Sequence, residues 1–230
     1  MSISRANIRN MGDILRDTAF AVRLAGATDA EGFPGHGAWE TAPPISFDAD
    51  WQGKNEDRQR GTQVRLLWNP QFFFLRFEAF YRSITVFADS EPSGRRDLLW
   101  DRDVCEVFLQ PSSLAPDTYK EIEVAPNGFW IDLEIAPGER RDMKSGLQRR
   151  TNIDERNKRW HAMLAIPMEA LVQDFRISSV WRVNFFRVEG ASEPRFYSAW
   201  RPTNTAKPNF HVPEAFGALV FTEAASKIRS

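Results

Sequence analysis

The stretch "LLWDRDVCEVFLQP", residues 98–111, sets Trp100, Asp101, Asp103 and Glu106 within seven positions. An indole offers a flat apolar face to the C–H side of a sugar ring, and carboxylates accept hydrogen bonds from its hydroxyls, so the pairing suits a shallow polar ligand. Along the same run Cys105, Val107 and Leu109 alternate with Val104, Glu106 and Phe108, the two-residue period of a strand. Glu106 therefore stands between Val104 and Phe108 with little polar company. An acceptor held partly dry makes a strengthened hydrogen bond and is costly to leave unpaired. The residues alone leave two readings of Trp100 open, a ligand platform or a plug for the end of the fold.

Further carboxylates widen the chemistry. Asp101, Asp103, Glu106, Glu121, Glu123, Asp132 and Glu134 fall in three adjacent predicted strands. Two carboxyl groups about 5–9 Å apart can run glycoside hydrolysis. Many pairs meet that spacing, so none is singled out, and for most of these acids the plain reading is a solvated outer face opposite Arg and Lys. Other reaction types find little support. His36, His161 and His211 lie at no metal-motif spacing, and HExxH, GxSxG, Walker and GxGxxG motifs are absent from the sequence. Cys105 falls on an apolar strand face, where a thiol is inert. Met163 and His161 stand too close in one strand to grip both faces of a haem. Asp48 and Asp50 in "SFDADW" offer hard oxygen ligands of the kind calcium takes.

The elements that must position these groups are short strands. "TQVRLLW" alternates through Val64, Leu66 and Trp68; "NPQ" supplies a turn, and Phe73, Leu75, Phe77 and Ala79 then share a face, which predicts a hairpin. "YKEIEVAPNGFWIDLEI" predicts a second hairpin hinged on "APNG". Ile122 and Val124 oppose Glu121 and Glu123 there, and Ile131, Leu133 and Ile135 oppose Trp130, Asp132 and Glu134, one face apolar and one acidic. Residues 137–158 read as a long polar loop or weak edge excursion. "RWHAMLAI", "SVWRVNFFRVEG", "RFYSAWRP" and "FGALVF" follow as strands, with "PMEALVQDF" as one short helix. Many short strands with turns at intervals near ten residues predict an all-β fold, an antiparallel, jelly-roll-like β-sandwich with one short helix.

Composition sets the frame. A chain of 230 residues, 42% hydrophobic, can bury a sizeable core as one domain. Its 30 basic and 31 acidic residues are interleaved and leave a formal charge of −1, which recommends neither nucleic acid nor membrane as a partner. A single cysteine excludes an intrachain disulfide. The N-terminal residues hold no apolar run of signal-peptide or membrane-spanning length. On that basis a chain that begins here is expected in the cytoplasm.

The same residues carry a resemblance. "LLWDRDVCEVFLQP", "YKEIEVAPNG", "WRVNFFRVEG", "SAWRPT" and "NFHVPEAFGALVF" are similar to carbohydrate-binding module family 9 and its family-9-like bacterial relatives, over roughly residues 37–222. The W-x-x-D-x-x-E-[VI]-F block and the closing P-x-x-FG carry it in combination. The resemblance implies a β-sandwich that clamps a glycan between two aromatic planes, calcium ions that stabilise loops in some members, and an extracellular setting beside polysaccharide-degrading enzymes. Trp100 matches the first clamp, Glu106 the strand glutamate and Asp103 its acidic companion. Phe210 stands where a second tryptophan belongs. Glu123 replaces a binding arginine, and Arg187 is expected to restore a cation facing Glu106 and Glu123. The expected ligand-binding set is thus Trp100, Asp103, Glu106, Glu123, Arg187 and Phe210, with no catalytic residue, no assigned metal ligand and no cofactor beyond structural calcium. Three domains of chain are expected: an N-terminal extension over 1–24, the carbohydrate-binding sandwich over 25–222 and a tail over 223–230. The expected partner is an oligosaccharide or polysaccharide. The alternatives are a structural or interaction module that kept the sandwich and lost the sugar, and a glycoside hydrolase.

Overall fold

The computed structural model describes residues 17–223. The strands are β1 (Thr18–Arg23), β2 (Ile45–Phe47), β3 (Thr62–Trp68), β4 (Phe72–Phe80), β5 (Val104–Gln110), β6 (Tyr119–Val124) and β7 (Trp130–Ala136). There follow β8 (Glu139–Asp142), β9 (Gln148–Asp154), β10 (Arg159–Pro167), β11 (Val180–Glu189), β12 (Phe196–Ala199) and β13 (Gly217–Thr222). Among the described residues, two single-turn helices, α1 (His36–Trp39) and α2 (Met168–Leu171), complete the regular elements, with three short 3-10 turns. The fold is all-β, as expected. The helix expected in "PMEALVQDF" is α2, whereas α1 was not foreseen, because one turn is too short to show a helical period.

All strands join one sheet in the order β8-β7-β6-β5-β11-β13-β1-β3-β4-β10-β9, with β12 paired to β11 and β2 to β3. The sheet curls until one of its faces meets itself. Phe77 of β4 and Phe185 of β11 have ring centroids 6.4 Å apart although β3, β1 and β13 lie between their strands. Val64, Leu66, Phe73, Leu75, Cys105, Val107, Ile122, Trp160, Leu164 and Trp181 all enter this interior. At roughly 25 cal/mol per Å² of apolar surface, aromatic side chains such as these dominate its stability.

Two expectations change, and the edge-excursion reading of residues 137–158 holds. Pairing is not wholly antiparallel, since β1 runs parallel to both β13 and β3. Side-chain alternation carries no information about strand direction, so only the chain path could reveal this. Residues 18–23, expected within an N-terminal extension, lie inside the sheet; residues 1–16 and 224–230 are outside the described residues. The polar stretch 137–158 supplies β8 and β9, the two ends of the strand order, so it forms edges where charged side chains discourage further pairing.

Gly217 closes the sheet at the start of β13. A Cβ there would stand 2.6 Å from the Asp17 carbonyl oxygen and 2.7 Å from the Trp200 ring, one contact being backbone. The glycine of the terminal P-x-x-FG is thus a steric requirement of β1, β13 and the strand end after β12 meeting at one point. Gly217→Ala is expected to cost about 1–3 kcal/mol by overpacking, read as a Tm lowered by several degrees in thermal unfolding.

Candidate functional site

The outer face of β5, β6, β7 and β11 carries a second apolar cluster that includes Val104, Phe108, Tyr119, Ile131, Leu133, Phe186, Val188, Phe210 and Phe216. Strand register places acids among these residues. Glu106 of β5 lies directly opposite Glu123 of β6, and Glu121 is diagonal to Glu106 across the same ladder. On the other side of β6, Glu123 faces Ile131 and Glu121 faces Leu133. The expected grouping of all hairpin acids on one face is therefore corrected. The register puts the β6 glutamates beside the apolar residues of β7 and sends Asp132 to the opposite face, where it accepts from the Ser145 N–H at 2.7 Å.

Glu106, Glu121 and Glu123 are 2%, 3% and 0% exposed, which agrees with the dry setting expected for Glu106 and overturns the reading of Glu121 and Glu123 as solvated surface carboxylates. One oxygen from each lies within 4.8 Å of the others. Glu106 Oε1, Glu121 Oε2 and both oxygens of Glu123 have no hydrogen-bond partner in the protein. Burial, then the charge of Glu121, pushes the Glu106 carboxyl well above the usual carboxylate range against the pull of Arg195. Burial, then the charges of Glu106 and Glu121, does the same to Glu123.

These glutamates open into a pocket of about 230 Å³ whose lining includes Trp100, Arg140, Arg195, Tyr197, Phe210 and His211. The volume falls below the ~300–1,000 Å³ of drug-sized ligand pockets and suits a single ring or a chain end. Trp100 rides on a 3-10 turn, Leu99–Asp101, that follows Leu98 in the left-handed region at φ 54°. A leucine adopts that conformation only under constraint. Its consequence is a half-buried indole at the pocket rim, with the Trp100 carbonyl accepting from Arg195 Nη1 at 2.8 Å. The Arg140 guanidinium lies 5.0 Å from the Trp100 ring centroid. Phe210 is stacked on Phe186 at 4.3 Å and 14°, so one of its faces is already covered.

Of the expected set, Trp100, Glu106, Glu123 and Phe210 meet at the pocket. Asp103 and Arg187 do not. Asp103 is buried beneath the turn, where it accepts from the backbone N–H groups of Gly190 (2.6 Å) and Thr85 (3.0 Å). Arg187 lies opposite Cys105, so it projects to the inner face, away from Glu106. There it is fully buried, pairs with Glu189 at 2.9 Å and lies 5.4 Å from the Trp160 ring centroid. The residue opposite Glu106 is Phe186. The cations at the site are instead Arg140, from edge strand β8, and Arg195, from the loop before β12. Cys105 is buried on the inner face and its thiol is pushed up to about 12 by burial.

Asp50, one of the two acids expected to offer calcium ligands, is held within its own turn: Oδ1 accepts from the N–H groups of Gln52 and Lys54 at 2.8 and 2.9 Å, and Oδ2 accepts from the Asn55 amide at 2.6 Å. Among the described residues no helix is long and apolar enough to cross a membrane.

With this geometry in view, comparison with known proteins is informative. The sequence profile of carbohydrate-binding family 9 matches residues 73–221. A protein of the fungus Arthroderma benhamiae described as extracellular is 27% identical over 177 residues, which cover 70% of this chain and 78% of that protein. A crystal structure from Bacteroides uniformis, whose carbohydrate-binding role is itself provisional, superposes with a TM-score of 0.66 at 19% identity, covering 89% of this chain and 98% of its own. A carbohydrate-binding module of family 9 from Caldicellulosiruptor kristjanssonii superposes with TM-scores of 0.61 in complex with cellotriose and 0.60 in complex with glucose, each at 16% identity. Both cover 90% of this chain, and 94% and 96% of their own chains respectively. At these identities the superpositions speak for the fold.

The buried acids make a stability prediction. A glutamate that keeps its proton in the folded state binds more protons than the unfolded chain does above the ordinary 4.5, so its contribution to stability falls as pH rises from there towards the raised folded value. Glu123→Gln removes that penalty. The variant should melt a few degrees above the wild type at pH 8, and the difference should vanish near pH 4; calorimetry across that range checks it.

Proposed function

The chain belongs to carbohydrate-binding family 9, and on that footing we propose that it is a non-catalytic carbohydrate-binding domain whose ligand rests against Trp100 above the Glu106, Glu121 and Glu123 carboxylates. The observation that carries this reading is the set of buried, unpartnered acceptors opening into a pocket with an indole at its rim. Sugar hydroxyls are donors of the right kind for those oxygens, and the indole takes the apolar side of a pyranose. A purely structural module has no reason to bear three desolvated acids that nothing within the protein satisfies. That asymmetry favours retention of a ligand over loss of it.

Hydrolysis is less well supported. Acid and nucleophile roles need two carboxyl groups whose environments drive their proton affinities apart. Here burial raises Glu106 and Glu123 together, and the charge of Glu121 raises both further. The curled sheet, read as a jelly-roll-like sandwich running from Thr18 to Thr222, serves as a platform for the pocket. An extracellular setting accompanies this reading, supported by the fungal relative described as extracellular, and a role beside polysaccharide breakdown belongs to the same proposal.

Trp100→Ala tests it. Isothermal titration against a panel of mono- and oligosaccharides should show at least one ligand for the wild type and an affinity at least about tenfold lower, ~1.4 kcal/mol, in the variant. Tm should move by no more than a few degrees, because the ring is only half-buried. A wild-type chain that binds no glycan on the panel overturns the proposal, and release of product from aryl glycosides would replace it with the hydrolase.

A further inference from the structure

A neutral sugar leaves the charge of this pocket unexplained. Glu106, Glu121 and Glu123 bring three carboxylates to one floor, while Arg140 and Arg195 bring two guanidiniums to its rim, so the acids outnumber the bases by one. Neither arginine forms a hydrogen bond or ion pair with the three acids; Arg195 is engaged with Tyr197 Oη (2.8 Å), the Trp100 carbonyl and Glu193. The unpartnered oxygens are acceptors when ionised, and one oxygen from each glutamate lies within 4.8 Å of the others.

Resting on the sugar-binding reading, we propose that this floor recognises a protonated amine, and that the ligand is an amino sugar with a free ammonium group, either a single hexosamine or the end of a de-acetylated hexosamine chain. Three arguments lead there. An ammonium group bearing three N–H donors finds three acceptors, one per glutamate. At a charge-assisted N–H···O length of about 2.8 Å, three oxygens arranged tetrahedrally about one nitrogen stand about 4.6 Å apart, and the three glutamate oxygens here all lie within 4.8 Å of one another. With all three acids ionised, the state an ammonium favours, one positive charge also balances the excess of one carboxylate.

A divalent metal ion would use the same oxygens but asks for six or more oxygen ligands, and beyond the three glutamates the lining offers the rings and apolar groups of Trp100, Val188, Tyr197 and Phe210 beside the nitrogen donors of Arg140 and Arg195. That lining suits a pyranose ring attached to the ammonium. An N-acetylated sugar presents a neutral amide with a single N–H in place of the ammonium and brings an acyl group into a small space.

The groups that face the three glutamates are Arg140 of β8, Arg195 of the loop before β12, Tyr119 of β6, whose hydroxyl meets His211 Nδ1 at 2.6 Å, and Tyr197 of β12. Burial, with the charge of Glu121 on Glu106 and of Glu106 and Glu121 on Glu123, raises the proton affinity of both carboxyl groups. Binding an ammonium therefore displaces protons from the carboxyl groups to the buffer, whereas binding a neutral sugar does not.

Titration calorimetry of the full chain at pH 6, in two buffers of different ionisation enthalpy, distinguishes the outcomes. The probes are glucosamine, glucose, N-acetylglucosamine, their short oligomers and calcium chloride. Glucosamine or its oligomer should bind at least about tenfold tighter than the glucose and N-acetyl counterparts, with release of protons. In Glu123→Gln the ratio of glucose to glucosamine dissociation constants should collapse towards one. Equal or tighter binding of the neutral sugars overturns the amine and leaves the sugar reading standing. Calcium binding without glucosamine binding overturns it in favour of a metal site, and a chain that takes no sugar at all removes the reading on which it rests.

Discussion

Withdrawing a carboxylate from water costs several kcal/mol unless hydrogen bonds or opposite charge replace its hydration. At Glu106, Glu121 and Glu123 the sheet gathers three buried acids within 4.8 Å and supplies no hydrogen bond to four of their six oxygens, a setting that raises the proton affinity of Glu106 and Glu123. The arrangement persists because each glutamate is fixed by a ladder that extends well beyond it. β5 is held on one side by β6 and on the other by β11, and its inner residues Cys105, Val107 and Leu109 are locked into the main core. The acids cannot turn out to water without reversing residues that the core requires.

Burial on both faces follows from the curl. Every residue of β5 and of β6 is buried, an unusual state for strands whose outer face carries acids. The inner face packs against β4 and β10 across the interior; the outer face is roofed by Trp100, Phe210 and the loop that carries Arg195. Main-chain hydrogen bonding within the sheet leaves the side chains as the unsatisfied groups of this region, and these are free to take a ligand. Stiffness of the platform comes from the core, and chemistry of the pocket comes from loops, a division common to binding proteins.

How much of this could be read from the sequence depends on what two-residue alternation encodes. It assigned faces correctly within β3, β4 and β5, and it marked Glu106 as an acid between apolar neighbours. Alternation does not encode register between strands. The slip that sets Glu123 opposite Ile131 is fixed by the "APNG" turn and by packing, so the burial of Glu121 and Glu123 was not legible. Arg187 failed by one residue: Phe186 is the partner of Glu106, and a shift of one sends a side chain through the sheet. Arg140 and Arg195 lie in stretches without a pattern, where neither spacing nor propensity says which long side chain returns to the site. The parallel strand β1 was hidden for a related reason, since its six residues carry a strand period but no mark of their neighbours.

Asp103 shows how a residue can belong to a recognition motif without touching the ligand. Its two oxygens accept from Thr85 N–H, in the segment between β4 and the Trp100 turn, and from Gly190 N–H, where β11 gives way to the loop bearing Arg195. The Asp103 N–H donates in turn to the Thr85 carbonyl at 2.9 Å. Burial pushes its carboxyl upward and the two backbone donors oppose that. One carboxylate thereby ties together the three segments that deliver Trp100, Glu106 and Arg195 to the same pocket. In the spacing W-x-x-D-x-x-E the tryptophan and the glutamate face the pocket, while the aspartate between them fixes the distance at which they face each other.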